Sequence, residues 1–294
     1  MRGISAVLWP LAALIVVLTF RAEISDLLRR LRRGKLLGQE IELDKSLDVL
    51  ERGAEELASK PLPPLESVSP TEAAGRDPES RYAIEGEVAN VLELAAQSPK
   101  SALMLLSANI EREARRLLAA TGHSEEVPRT ASLRAMVEVL EKATSLQRGT
   151  LDVVRNFAEV RNRIVHGHQD VQDDEILRAI DAGLIIYRSI AIVPREWNVV
   201  HHPGVALFSD PGASDEVRDV YGVILQTTSG GGTIKSTRIF PTTRRHFQRG
   251  RDVAWEWNLD KKWGPMWYRD PDNGEIRQAW DASLEFVGRH LDEV

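Results

Sequence analysis

Val160-Arg161-Asn162-Arg163-Ile164-Val165-His166-Gly167 closes a strongly helical run and holds the chain's one compact cluster of Arg, Asn and His. With Leu151 set at zero and steps of about 100° per residue, Val153, Val154, Phe157, Ala158, Val160, Ile164 and Val165 fill one contiguous half of the helix. Arg161 falls in the middle of that half. Arg155, Asn162 and His166 gather at its polar edge, with Glu159 beside them. An arginine centred on an apolar arc must pair with a carboxylate, bind an anion or sit at an interface, because an unpaired buried charge is strongly destabilising. Gly167 suits the position just past a helix cap. It leaves His166 at the C-terminus, where a protonated imidazole is favoured.

Working outward, residues 81–193 read as an all-helical domain, with helix signals at Ala83–Gln97, Pro99–Ala120, Ser132–Ala143, Thr150–Val165 and Asp173–Val193. Ser98-Pro99 places a capping residue before a proline at the first helical position. Asp173-Asp174-Glu175 puts acids where a helix N-terminus prefers them. Leu103, Leu106, Ile110, Ala114 and Leu117 give one helix a core face, so a bundle is expected.

Arg161-Asn162-x-x-x-His166 at the end of one helix, followed by a loop and a last long helix, resembles the HEPN (higher eukaryotes and prokaryotes nucleotide-binding) superfamily. The likeness covers roughly 110 residues and rests on a short Arg-polar-x-x-x-His motif in a helical setting. It implies a homodimer in which two motifs form one cleft. The ribonuclease members of that family cut RNA without a metal or other cofactor, leaving a 2′,3′-cyclic phosphate, often in stress or phage defence. By that resemblance Arg161 would hold the scissile phosphate and stabilise its developing charge. His166 would move a proton between the ribose 2′-hydroxyl and the leaving oxygen, and Asn162 would orient phosphate or imidazole. His168, two residues on, reads as a loop bystander.

Before the bundle, Gly3 to Phe20 runs without a charge. It is just long enough to span a bilayer, which takes about 20 apolar residues. Residues 1–20 are therefore expected to be a transmembrane anchor. Arg21, Arg29, Arg30, Arg32, Arg33 and Lys35 follow at once, which places the bulk of the chain on the cytoplasmic side of a single-pass cell-membrane protein. Residues 21–58 read as a basic amphipathic helix, either lying on the lipid bilayer or pairing two copies as a short coiled coil. Residues 59–80, with five prolines between Pro61 and Pro78, read as a linker.

After Pro194 the texture turns to β, and residues 194–294 are expected to form an aromatic-rich module with six of the seven tryptophans. Pro203-Gly204 reads as a turn. Hairpins are expected around Ser229–Gly232 and around Asp270-Pro271-Asp272-Asn273-Gly274, and a helix over Gln278–Glu293. Most tryptophans are assigned to the module's core. Between Thr233 and Lys262 eight basic residues outnumber three acids. Arg244, Arg245, Arg249 and Arg251, with Arg155 of the bundle, form a candidate RNA or partner surface.

The expected fold class is thus multidomain: an N-terminal transmembrane helix, an all-α HEPN-like bundle, and a small α+β, mainly antiparallel module. The absence of cysteine excludes thiol catalysis and Cys-based zinc sites. A net charge of −6 argues against a protein that coats nucleic acid. No P-loop or nucleophile elbow points to an ATPase or a serine hydrolase. The functional expectation is a membrane-tethered endoribonuclease with catalytic residues Arg161, Asn162 and His166. The alternative is a non-catalytic membrane-anchored scaffold or sensor, whose bundle dimerises and whose β module binds a protein partner or trigger.

Overall fold

The computed structural model describes residues 43–59, 78–166, 171–230 and 235–294. The first helix, α1 (residues 43–59), shows how an apolar repeat chooses its partner. Leu43, Leu47, Leu50, Ala54 and Leu57 are all buried, and they join the core of the helices that follow. For these residues the face that a coiled coil would use is instead spent on the chain's own bundle. Arg178 fixes the arrangement: it reaches Asp44, Asp48 and Glu51 at 2.7 Å each, one side of α1 along two turns.

The bundle continues with α2 (Pro78–Gln97), α3 (Pro99–Ala120), α4 (Leu133–Ala143), α5 (Thr150–His166) and α6 (Asp173–Ala191). Pro99 opens α3 after an extended Ser98, as its fixed φ and missing N–H require. α3 is the central helix, and Leu103, Leu106, Ile110, Ala114 and Leu117 are all fully buried. α6 lies tightly against α3 and α5: a side chain on Gly183 would meet Leu106 Cδ2 and Phe157 Cε2 at 2.7 Å.

The C-terminal module holds β1 (Trp197–Phe208), β2 (Glu216–Thr228), β3 (Lys235–Thr242), β4 (Trp257–Trp263), β5 (Met266–Arg269), β6 (Ile276–Trp280) and β7 (Ser283–Phe286). Five strands form an antiparallel sheet in the order β3-β2-β1-β5-β6, and β4 pairs with β7. Phe240, Trp255, Trp257 and Phe286 meet with ring centroids 5.1–5.9 Å apart. These large rings fill a core that a small β module lacks the aliphatic bulk to build.

The seam between bundle and module is bonded as well as packed. Trp255 N–H donates to the Ala119 carbonyl at 2.9 Å. Ala119, Ala120, Ala254 and Leu291 bury one another across the seam.

The expected fold class is corrected on these findings. Among the described residues there are six helices, none long and apolar enough to cross a membrane. Among its described residues the module has no α-helix: Gln278–Glu293 holds the end of β6, all of β7 and a 3-10 turn at Leu291–Glu293. Trp280, Leu284, Val287 and Leu291 have helical spacing, but pairing with β4 buries Phe286 and Glu285 instead, so tertiary contacts override the local pattern. Nor does the chain turn at Pro203-Gly204; β1 runs through it on a bulge. The anchor segment 1–20, the basic block to residue 42, linker residues 60–77, the stretch 167–170 with His168, and residues 231–234 lie outside the described residues.

Candidate functional site

The start of α5 is held by another helix, since Glu141 of α4 accepts the Leu151 N–H at 2.7 Å. Val153, Val154, Phe157, Val160 and Ile164 then sink into the bundle core. Ala158, Arg161 and Val165 form the half-buried margin of the same face. Arg161 is therefore placed beside the core rather than in it.

Its bonding is unusual for a half-buried guanidinium. Nη1 donates to Asn162 Oδ1 at 2.8 Å, whereas Nε is buried without a hydrogen-bond partner. Among the described residues no carboxylate pairs with it. Leaving a buried donor unmade costs about 1–3 kcal/mol, and no carboxylate of the described residues offsets the guanidinium's charge. Asn162 and His166 are one turn apart on the same face, about 5–6 Å between Cβ atoms by helix geometry, and both are exposed. The neighbouring charges are occupied elsewhere, with Arg163 on Glu159 at 2.8 Å and Arg155 on Asp152 at 3.4 Å.

Two basic residues of the module are engaged within it. Arg245 lies over the Tyr221 ring, 4.6 Å from its centroid, and hydrogen-bonds its hydroxyl. Arg251 is bonded to Asp292, which raises its pKa, with Glu293 at 3.9 Å. Arg244 and Arg249 are exposed. Arg155, Arg245 and Arg251 thus each have a partner within the chain.

Two further features were not read from the sequence. A cleft of about 760 Å³ opens where the bundle meets the module. Its wall contains the Arg195–Glu113 ion pair, 2.8 Å long with both side chains under a tenth exposed, and Arg195 stacks 4.5 Å over Trp197. Burial, reinforced by Glu113, pushes the Tyr187 hydroxyl beside it up to about 12.

The second feature is on β1. His202 Nε2 lies 2.8 Å from Asp272 Oδ1 and His201 Nε2 lies 3.0 Å from Asp272 Oδ2. These bonds hold the Asp272 carboxyl below its ordinary pKa. Adjacent strand residues normally point to opposite faces. Here Val200 pairs with Leu225 and His202 with Ile224, so two residues of β1 oppose one of β2 and both imidazoles reach the same carboxylate. The dipeptide His201-His202 was visible in the sequence, but the bulge that aligns it was not.

Comparison with family models, with curated proteins and with solved structures found no match for this chain.

Proposed function

We propose that the chain is a HEPN-type, metal-independent endoribonuclease in which two copies bring their α5 ends to a common cleft. One observation carries the reading: Arg161 is a half-buried guanidinium with a buried, unbonded Nε and no carboxylate partner among the described residues. A phosphodiester supplies the anion that this group lacks, and a planar guanidinium matches phosphate oxygens in fork geometry. Asn162 fixes one arm of the fork and leaves the other free for substrate.

In the reaction the ribose 2′-oxygen attacks phosphorus and the bond to the 5′-oxygen breaks. Charge grows on the non-bridging oxygens, where Arg161 stabilises it. One imidazole accepts the 2′-hydroxyl proton and an imidazole returns a proton to the departing 5′-oxygen. With one His166 per chain, two copies supply both. The products are a 2′,3′-cyclic phosphate and a 5′-hydroxyl. Ala158 and Val165, half-buried beside Arg161, offer the apolar margin on which a second copy would close.

A scaffold would be the better reading if Arg161 were held by a carboxylate of its own chain, and no described carboxylate does so. The test is cleavage of labelled RNA by the full chain in EDTA, alongside Arg161→Ala and His166→Ala. Cleavage by the parent protein that falls at least about 100-fold in both variants, the scale of an acid–base or oxyanion contribution, supports the proposal. Equal activity in all three proteins, or none in any, sinks it.

A further inference from the structure

We infer that His201, His202 and Asp272 form a binding site for one divalent transition-metal ion of the zinc class, independent of the α5 site. The donor atoms of the three residues all lie within 4.8 Å of one another. The two nitrogens already stand 2.8 and 3.0 Å from the carboxylate oxygens. Zinc bonds of about 2.0–2.2 Å to nitrogen and oxygen in a tetrahedral site put neighbouring donors about 3–3.5 Å apart. The three ligands are therefore close to the spacing that a shared ion requires, before any ion arrives.

Two separate parts of the fold hold them there. On β1 the bulge at His201-His202 aligns both rings, 4.3 Å apart between centroids. A second irregularity follows between His202 and Val205, where Gly204 adopts φ +69°, open to few other residues. On the other side, β1 pairs with β5 at Leu207–Tyr268 and Phe208–Trp267. Carrying that register back along β1 sets the turn 270–274 beside residues 201–205. Asp270 is buried, binds Arg277 at 3.1 Å and accepts the Asp272 N–H at 3.0 Å. The turn is thereby fixed, and it presents Asp272 to the bulge.

The donor set selects the ion. Two imidazoles and a carboxylate suit Zn²⁺ and its transition-metal neighbours, whereas Mg²⁺ and Ca²⁺ prefer all-oxygen shells. The side chains of His201, His202 and Asp272 are 30%, 17% and 58% exposed, so water reaches the fourth position. Without an ion, two imidazoles sharing one exposed carboxylate contribute little to stability. With one, the three residues tie the β5–β6 turn to the centre of β1. The ion's role is a cross-link on the sheet, remote in sequence from Arg161 and His166.

The experiment uses the full chain, stripped with EDTA and dialysed, and titrated with Co²⁺ and then Zn²⁺. The expected result is one Co²⁺ per chain, with the intense visible bands of a low-coordinate ion, displaced by Zn²⁺, and a melting temperature that rises with Zn²⁺. His202→Ala and Asp272→Asn should each weaken binding by more than the roughly 100-fold that loss of an outer-shell partner can cost. Asp272→Asn preserves the side chain's shape, so it reads the ligand even if His202→Ala disturbs β1. A Co²⁺ spectrum no different from that of the aquo ion overturns the inference on the parent protein alone. Unchanged affinity in both variants overturns it as well, by placing the ion elsewhere.

Discussion

Glu113 and Arg195 form a buried ion pair where the bundle meets the module. Both side chains are under a tenth exposed, and one Arg195 Nη1 donates to nothing. Truncating Glu113→Ala leaves that guanidinium buried and unpaired, which costs about 3–5 kcal/mol; urea unfolding followed by tryptophan fluorescence will measure it. A titrating counterpart is Glu256. Burial raises its pKa, but the hydrogen bonds and charge of Arg289 outweigh burial and leave it lowered. A depressed carboxyl stabilises the fold fully above its ordinary pKa, and that contribution is lost as pH falls through the lowered one. The stability gap between the parent protein and Glu256→Gln should therefore be largest above the ordinary carboxyl range and close as the solution is acidified below it.

At this scale the sequence was half legible. The helical wheel placed Arg161 on the apolar face of α5 and left three outcomes open. Only the structure removes from that choice the carboxylates of the described residues, because partners from other helices have no signature at a fixed spacing.

At the scale of elements, α6 carries a substitution whose sign is not obvious. In a helix interior Gly→Ala gains up to about 1 kcal/mol in propensity. At Gly183 the new methyl would press on Leu106 and Phe157 at 2.7 Å, inside a packed core. We predict that overpacking wins and that Gly183→Ala is destabilising by about 1–3 kcal/mol, read as a lower melting temperature. On α1 the fan of three acids around Arg178 is partly solvated, so Arg178→Ala should cost only about 1 kcal/mol. Its effect should be local: amide exchange quickens over residues 43–59 while β2 stays protected.

Helix starts were the most readable elements, since Ser98-Pro99 and the acids from Asp173 act within one turn. Strands were less so. Pro203-Gly204 looked like a turn because the same residues serve turns and bulges, and the difference depends on whether β2 lies alongside. Gln278–Glu293 looked helical because four apolar residues at helical spacing hide a strand whose partner, β4, lies some twenty residues upstream.

Across the whole molecule, the hydrogen bond from Trp255 to Ala119, the alanine cluster around Ala254 and the Arg195 pair join bundle to module. The two halves should lose structure together. Helix signal in the far ultraviolet and fluorescence of the tryptophans, six of which are in the module, are predicted to share one urea midpoint; two separated midpoints would show the seam to be weak. This joint architecture was not legible beforehand, because the seam uses small alanines and one arginine that carry no periodic pattern.

The central claim remains chemical, and product ends test it most directly. RNA incubated in EDTA with the full chain is predicted to carry 2′,3′-cyclic phosphate and 5′-hydroxyl ends, and to stay intact with His166→Ala. Fragments ending in 3′-hydroxyl and 5′-phosphate, formed only when metal is restored and made equally well by His166→Ala, would contradict it.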